Sequence, residues 1–256
     1  KHELSLLTRT NIRDKFKLNR NTKVINKNIQ NVSIKDLKDI DVVINLSAAG
    51  VSPQMASWKQ MLEVNVLGSL RLMQLSKKAF VKRFICAGTC LEYGFNNFNK
   101  IPVTSSLNPT TPYAASKVAG FQLLNSFAKA EEIEFFYGRI FSAYGEGQYY
   151  KNLWPSLRNA ALNNDDFPIK SCMNIRDFIH VTEVAKHFCK AVVRNDIDSK
   201  MPKIVNIGTG KGLTIKEFAE REWKKLNSKG KIHCVNLESD SSSNNRFIAD
   251  IEGLEI

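Results

Sequence analysis

The chain has 256 residues, 43% hydrophobic and 24% charged, which bounds it to one principal domain with at most a smaller second lobe. No apolar run approaches the roughly 20 residues of a membrane span, so a helical membrane protein is excluded. The formal net charge is +12, but the basic residues are mostly Lys spread among Asn, the pattern of a solvated surface rather than a nucleic-acid stripe. A net positive field still helps to draw in an anionic substrate.

In chain order, residues 4–8 and, more weakly, 23–25 form strands, and residues 41–46 form a buried strand ending in the small residues Ser47-Ala-Ala-Gly50. Residues from about 55 to 79 carry Leu62, Val66, Leu70, Met73 and Leu75 at helical spacing. Residues 83–87 make another strand. Thr111 as N-cap and Pro112 at the first helical position open a helix bearing Tyr113 and Lys117, and 134–140 is the next strand. Beyond about 140 the pattern breaks into loops and shorter elements, until a strand at 204–208 and a helix from 214 to about 226. Residues 239–245 read as a polar loop. Strands alternating with amphipathic helices predict an α/β chain, a Rossmann-like doubly wound parallel sheet over 1–140 with a smaller mixed substrate lobe over 141–256, some of whose segments return to the sheet.

Five cysteines, Cys86, Cys90, Cys172, Cys189 and Cys234, are odd in number and scattered, which predicts reduced thiols, a cytoplasmic setting and no bound metal. The amino end lacks the apolar region and cleavage site of a secretory signal.

The chemistry concentrates in Tyr113-Ala-Ala-Ser-Lys117, entered through Thr110-Thr111-Pro112, with Thr89 upstream in Cys86-Ala-Gly-Thr89. Tyr and Lys at i and i+4 share one helix face. An ammonium beside a phenol favours the phenolate, giving a general base for an alcohol or sugar hydroxyl, while the Thr89 hydroxyl holds the same oxygen.

The ordered motifs Asn45-Leu-Ser-Ala-Ala49, Asn65-Val-Leu-Gly68, Arg83-Phe-Ile-Cys-Ala-Gly-Thr89 with Tyr93-Gly94, Arg139-Ile-Phe-Ser-Ala-Tyr-Gly145, Ile175-Arg-Asp-Phe-Ile-His-Val181 and Asn206-Ile-Gly-Thr-Gly210 resemble those of the extended short-chain dehydrogenases/reductases of the NAD-dependent epimerase/dehydratase family. The resemblance implies an enzyme acting on a nucleotide-diphosphate sugar at a ring carbon, C4 above all, as 4-epimerase or 4-ketosugar reductase. It implies Thr89, Tyr113 and Lys117 as catalytic residues; Arg9, Leu46, Ala48, Ala49, Asn65, Tyr113, Lys117 and Phe141 at an NAD or NADP cofactor; and Thr89, Ser142 and Arg176 at the substrate, Arg176 clamping its diphosphate. Arg9 after the second strand, with no carboxylate beside it, tilts the cofactor toward NADP. Dimerisation through the two long helices beside the strand carrying Thr89 is common in this fold family.

Three departures qualify it. The chain opens at what resembles the family's second strand, so the glycine-rich pyrophosphate turn is expected to be missing and a chain beginning at Lys1 to bind dinucleotide poorly. Gly208-Thr-Gly-Lys-Gly212 fits no phosphate-loop pattern and reads as a turn. Cys90 and Leu91 stand where the family's 4,6-dehydratases carry an acid or amide pair, which disfavours dehydration; Ser142 replaces a common Asn. Arg176 alternatively makes a surface ion pair with Asp177, His180 reads as a packed strand or turn residue, and Cys90 as a buried thiol rather than a nucleophile. The rival functions are a non-catalytic dinucleotide-sensing or RNA-binding scaffold and a reductase of a non-sugar carbonyl.

Overall fold

The computed structural model describes residues 2–10, 12, 18–19, 21–51, 56–235 and 245–254. Its centre is a four-stranded, wholly parallel sheet. The strands are β3 (Val42–Asn45), β4 (Arg83–Thr89), β5 (Glu134–Ile140) and β10 (Lys203–Ile207), in the order β10-β5-β4-β3. β1 (Ser5–Thr8) and β2 (Lys23–Asn26) pair in parallel as a separate two-stranded sheet.

The sheet is covered on both faces, as parallel sheets require. β4 and β5 are therefore near-continuous buried runs, and alternate residues feed two different cores. Phe84 and Phe135 pack with Leu72, Met73, Phe121 and Leu124 from α2 (Ser69–Lys78) and α3 (Pro112–Ala130). Their neighbours Ile85 and Phe136 pack with Val184 and Phe188 from α5 (Val181–Val193) and with Val205 and Ile207. Arg83 crosses from the sheet to α5. It is ion-paired to Glu134 at 2.6 Å and donates to the carbonyls of Ala191, Val192 and Arg194, each at 2.8 Å, which closes the carboxyl end of that helix.

The amphipathic stretch expected from 55 begins as α1 (Trp58–Met61), widens into a π-type segment over Leu62–Gly68 and continues as α2. The widening rotates the apolar stripe: Val66 and Met73 are buried, whereas Leu62 stays exposed. Met55 and the polar stretch 239–245, apart from Asn245, lie outside the described residues.

After β5 the chain is more regular than its sequence predicts. α4 (Leu153–Asn163) and α5 are full helices, held by short buried stripes such as Val184, Phe188 and Ala191. α4 and α6 (Ile215–Lys224) share a core of Leu157, Ala161, Ala219 and Trp223 with Ile169 of β7 (Phe167–Lys170), which pairs with β12 (Ile232–Val235). β6 (Ser142–Tyr144) pairs with β9 (Phe178–His180), and β8 (Ile175–Arg176) lies between β11 (Leu213–Thr214) and β13 (Arg246–Phe247).

The expectation of five reduced thiols is corrected here. Cys172 and Cys234 form a disulfide with their Cα atoms 5.9 Å apart. Their 62-residue separation hides a pairing created by the β7–β12 register, in which Cys234 stands opposite Ile169. Cys86 and Cys90 are buried free thiols, and Cys189 is exposed. Among the described residues no helix is long and apolar enough to cross a membrane.

Candidate active site

The end of β4 sets the site. Thr89 is its last residue and caps a 3-10 turn over Cys90–Tyr93. The Thr89 hydroxyl accepts the Leu91 N–H at 3.4 Å, and the Glu92 carboxylate returns to accept the Thr89 N–H at 2.8 Å. This is a capping box within the turn. Gly88 makes room for it, since a Cβ there would lie 2.3 Å from the Tyr137 ring and 2.8 Å from Glu92 Oε1.

Tyr113 and Lys117 enter from the first turns of α3, which starts as expected: the Thr111 hydroxyl accepts the Ala114 N–H at 3.2 Å and Pro112 is the first helical residue. Asn65 sets α3 against the loop after β3. Its amide exchanges two hydrogen bonds with the Ala49 backbone, at 2.8 and 2.9 Å, and donates to Ser116 Oγ at 2.8 Å. Ser116 in turn donates to the Tyr113 carbonyl at 2.7 Å. Asn65 thus ties the Tyr113 turn of α3 to the Ala49 backbone.

The electrostatics reverse one expectation. Lys117 was expected to draw the Tyr113 phenol down. Instead Tyr113 is pushed above its ordinary value, first by burial and then by the Glu92 charge and the Cys90 and Cys86 sulfurs. Lys117 is itself buried, and its charge bears on Cys86, where burial raises the thiol and Lys117 opposes the rise. Burial also pushes Cys90 up to about 12, so it is a neutral thiol.

The remaining residues spread around this centre. Leu46 is apolar yet 60% exposed at the end of β3, with Ala48 and Ala49 half-buried beyond it. Arg9 is exposed just past β1. Phe141 packs in the interior with Cys90, Tyr93, Ile101 and Phe247. Ser142 opens β6, half-buried, its N–H donated to the Asp177 carbonyl at 2.9 Å.

Arg176 makes no ion pair with Asp177. Its Nη1 donates to the carbonyls of Ile175 and Asn245 at 2.9 and 2.6 Å, its guanidinium lies 5.1 Å from the Phe247 ring centroid, and burial lowers its pKa. Asp177 is fully buried and committed elsewhere, accepting from Thr209 N and Oγ1, Gly210 N and Ala249 N. That explains the turn after β10: a Cβ on Gly208 would lie 2.6 Å from Asp177 Oδ2. His180 caps α5.

Two functional candidates escape a reading by motif. Glu92 is fully buried and paired to Arg139 at 2.8 Å, and Arg139 also donates to Tyr93 Oη at 3.1 Å. The spacing Thr89-x-x-Glu92 is the sequence signal that would have found the first of them.

The model of the NAD dependent epimerase/dehydratase family matches residues 1–208. The chain belongs to this family. Similar proteins include the dTDP-D-glucose 4,6-dehydratase of Dictyostelium discoideum, 29% identical over 190 residues, which covers 69% of this chain and 43% of that protein. The UDP-glucose 4-epimerase of Pasteurella multocida is 30% identical over 185 residues, covering 64% of this chain and 54% of its own length. The chain thus spans about half the length of these two members of the epimerase/dehydratase family. Among solved structures, a UDP-N-acetylglucosamine 4-epimerase from Methanobrevibacter ruminantium superposes with a TM-score of 0.87 at 23% identity, over 98% of this chain and 83% of that one. A Streptomyces venezuelae dTDP-glucose 4,6-dehydratase with NAD bound gives 0.83 at 20%, over 98% and 80%. These likenesses show the Rossmann-like fold.

Proposed function

We propose that the protein is an NAD(P)-dependent oxidoreductase or epimerase that transfers hydride at a ring carbon, C4 above all, of a nucleotide-diphosphate sugar. The observation that carries this is the gathering of Thr89, Tyr113 and Lys117 where β4 ends and α3 begins, around Cys86 and Glu92. The residues beside it suit a dinucleotide: Leu46 is an exposed apolar side chain, Ala48 and Ala49 are small and half-buried, and Asn65 holds the Ala49 backbone. When bound, the nicotinamide supplies the hydride donor or acceptor. Arg9, exposed past β1, supports NADP, while NAD is the cofactor in the dehydratase structure above.

In this reading Tyr113 moves the proton at the reacting oxygen, the Thr89 hydroxyl steadies that oxygen, and Lys117 holds the nicotinamide ribose and opposes the negative charge facing Tyr113. The same three residues serve a 4-ketosugar reductase and a 4-epimerase, since both reduce a ring ketone with a proton delivered by Tyr113. Cys90 and Leu91 in place of an acid or amide pair disfavour the dehydration catalysed by some relatives. Arg176, a half-buried cation with no carboxylate partner among the described residues, supports a diphosphate substrate. We further propose division into a dinucleotide domain (1–140) and a mainly substrate-binding lobe (141–256), and a homodimer through α3 and the helix that runs from Leu62–Gly68 into α2, supported by exposed Leu67 and Leu123.

The test is a panel of nucleotide hexoses and 4-keto sugars with NADH and NADPH on the full-length protein. Wild-type turnover retained by Tyr113→Phe would overturn the reading.

A further inference from the structure

Glu92 is 0% exposed, lies three residues beyond Thr89 and is unused by the scheme above. Its Oε1 accepts from Thr89 N and from Tyr137 Oη, both at 2.8 Å, and its Oε2 accepts from Arg139 Nε at 2.8 Å. Arg139 is enclosed in its turn: it donates to Tyr93 Oη at 3.1 Å and to the Val103 carbonyl at 3.2 Å, and it sits 4.8 Å from the Phe121 centroid. Tyr93 donates to Asn206 Oδ1 at 2.6 Å, and Asn206 donates to the carbonyls of Ile101 and Asp250 at 2.8 and 3.1 Å. The carboxylate under Thr89 is therefore braced from β5, β10 and the chain that returns beside Ile101.

Stability alone is a weak reason for such an arrangement, because a buried ion pair is often no better than apolar residues of the same volume. What it does locally is specific. The Thr89 backbone is pinned by the carboxylate, and the Thr89 oxygen is used as acceptor for the Leu91 N–H. The Leu91 N–H takes one of the two acceptor positions of the hydroxyl, which keeps its proton to donate to a further acceptor.

We propose that Glu92 is a positioning residue that acts through Thr89, fixing its backbone so that its hydroxyl donates to the substrate oxygen. The role of Thr89 rests on the function proposed above. The test uses full-length protein. Glu92→Met with Arg139→Met removes both charges at similar volume. It should lower kcat on the best nucleotide sugar roughly 10- to 100-fold, since small misplacements cost that much, with KM changed less than about threefold and the melting temperature retained. Glu92→Gln, which keeps one acceptor oxygen, should recover part of the loss. Thr89→Val should cost far less in the doubly apolar background than in the wild type; if the two costs simply multiply, the proposal is overturned. Should the doubly apolar variant not fold, Glu92→Gln carries the same cycle. Hydrogen exchange at the Thr89 amide is read in parallel and should speed up in the variant; unchanged protection overturns the proposal with or without turnover. A wild type without nucleotide-sugar turnover defeats the functional reading, and the exchange result then decides the hold of Glu92 on Thr89.

Discussion

The central sheet and the segments after β5 solve the same problem in different ways. β3, β4, β5 and β10 are parallel strands of four to seven residues, and the central β4 and β5 are buried on both faces. β4, β5 and β10 end in register, and the proposed proton-handling groups stand at or just beyond those ends. The later segments include two-residue strands, a β7–β12 pair joined across 62 residues by a disulfide, and Arg176 held by backbone carbonyls. Geometry fixed by a continuous core suits a chemical step that tolerates little displacement. Geometry assembled from short pieces suits the holding of a variable ligand.

The largest expected effect tests that division directly. Tyr113→Phe should lower kcat roughly 10²- to 10⁴-fold, the usual worth of a positioned acid–base group, with little change in KM. Arg176→Met should instead raise KM for a nucleotide-diphosphate sugar about tenfold or more, as for loss of a charged hydrogen bond, while kcat falls less. Steady-state kinetics on both variants decides. A kcat-only loss for Arg176→Met would erase the distinction between a chemical half and a binding half.

Next in size is the buried pair of the sheet. Arg139→Met alone leaves the fully buried Glu92 without its cation, which should destabilise the fold by about 3–5 kcal/mol in a denaturant titration. Changing both partners to Met should restore most of that. The contrast separates a charge needed for stability from one needed at the site.

The two regions also differ in how far the sequence disclosed them. Runs such as Phe84-Ile-Cys86 and Phe135-Phe-Tyr137 are legible because burial on both faces leaves no polar alternation to misread. Thr111-Pro112 announces α3 because capping is local. Glu92 disclosed less: the spacing Thr89-x-x-Glu92 suggests a capping box, but only the approach of Arg139 and Tyr137 from β5, 47 and 45 residues away, makes the carboxylate interior. The Tyr113 shift differs from expectation for the same reason, since Lys117 is visible as a helical neighbour, whereas the burial of Tyr113 and the approach of Glu92, Cys90 and Cys86 come from the fold. Beyond β5, strands of two residues carry no period, and the cysteine count concealed one disulfide among free thiols.

That disulfide yields the third prediction. Replacing Cys172 and Cys234 by Ser should cost about 2–4 kcal/mol, the usual value for such a link. The loss should fall on the α4–α6 core, so hydrogen exchange should quicken around Leu157, Ile169 and Trp223 and not along β4 and β5. Thiol labelling of the native protein should find Cys189, exposed, and spare Cys86 and Cys90, which are buried and, for Cys90, raised to about 12. Equal loosening of both regions would show that they unfold as one unit.

The smallest effect lies where the β1–β2 pair leads into the main sheet. Asp36 closes a capping box with Ser33 just before β3 and is paired to Lys27 at 2.7 Å. Its carboxyl is held down to about 2, chiefly by the Lys27 hydrogen bond and also by Ser33, against a smaller upward push from burial. A folded value below the unfolded one contributes stability above about pH 4 that is lost as pH falls toward 2. The pair is partly exposed, so the contribution should be only about 0.5 kcal/mol. Lys27→Met should flatten the stability curve between about pH 4 and 2 without moving the melting temperature of the α4–α6 core. If acid melting of that core shifts as well, the junction before β3 and the later segments are coupled through the sheet, and the two regions are less independent than their construction implies.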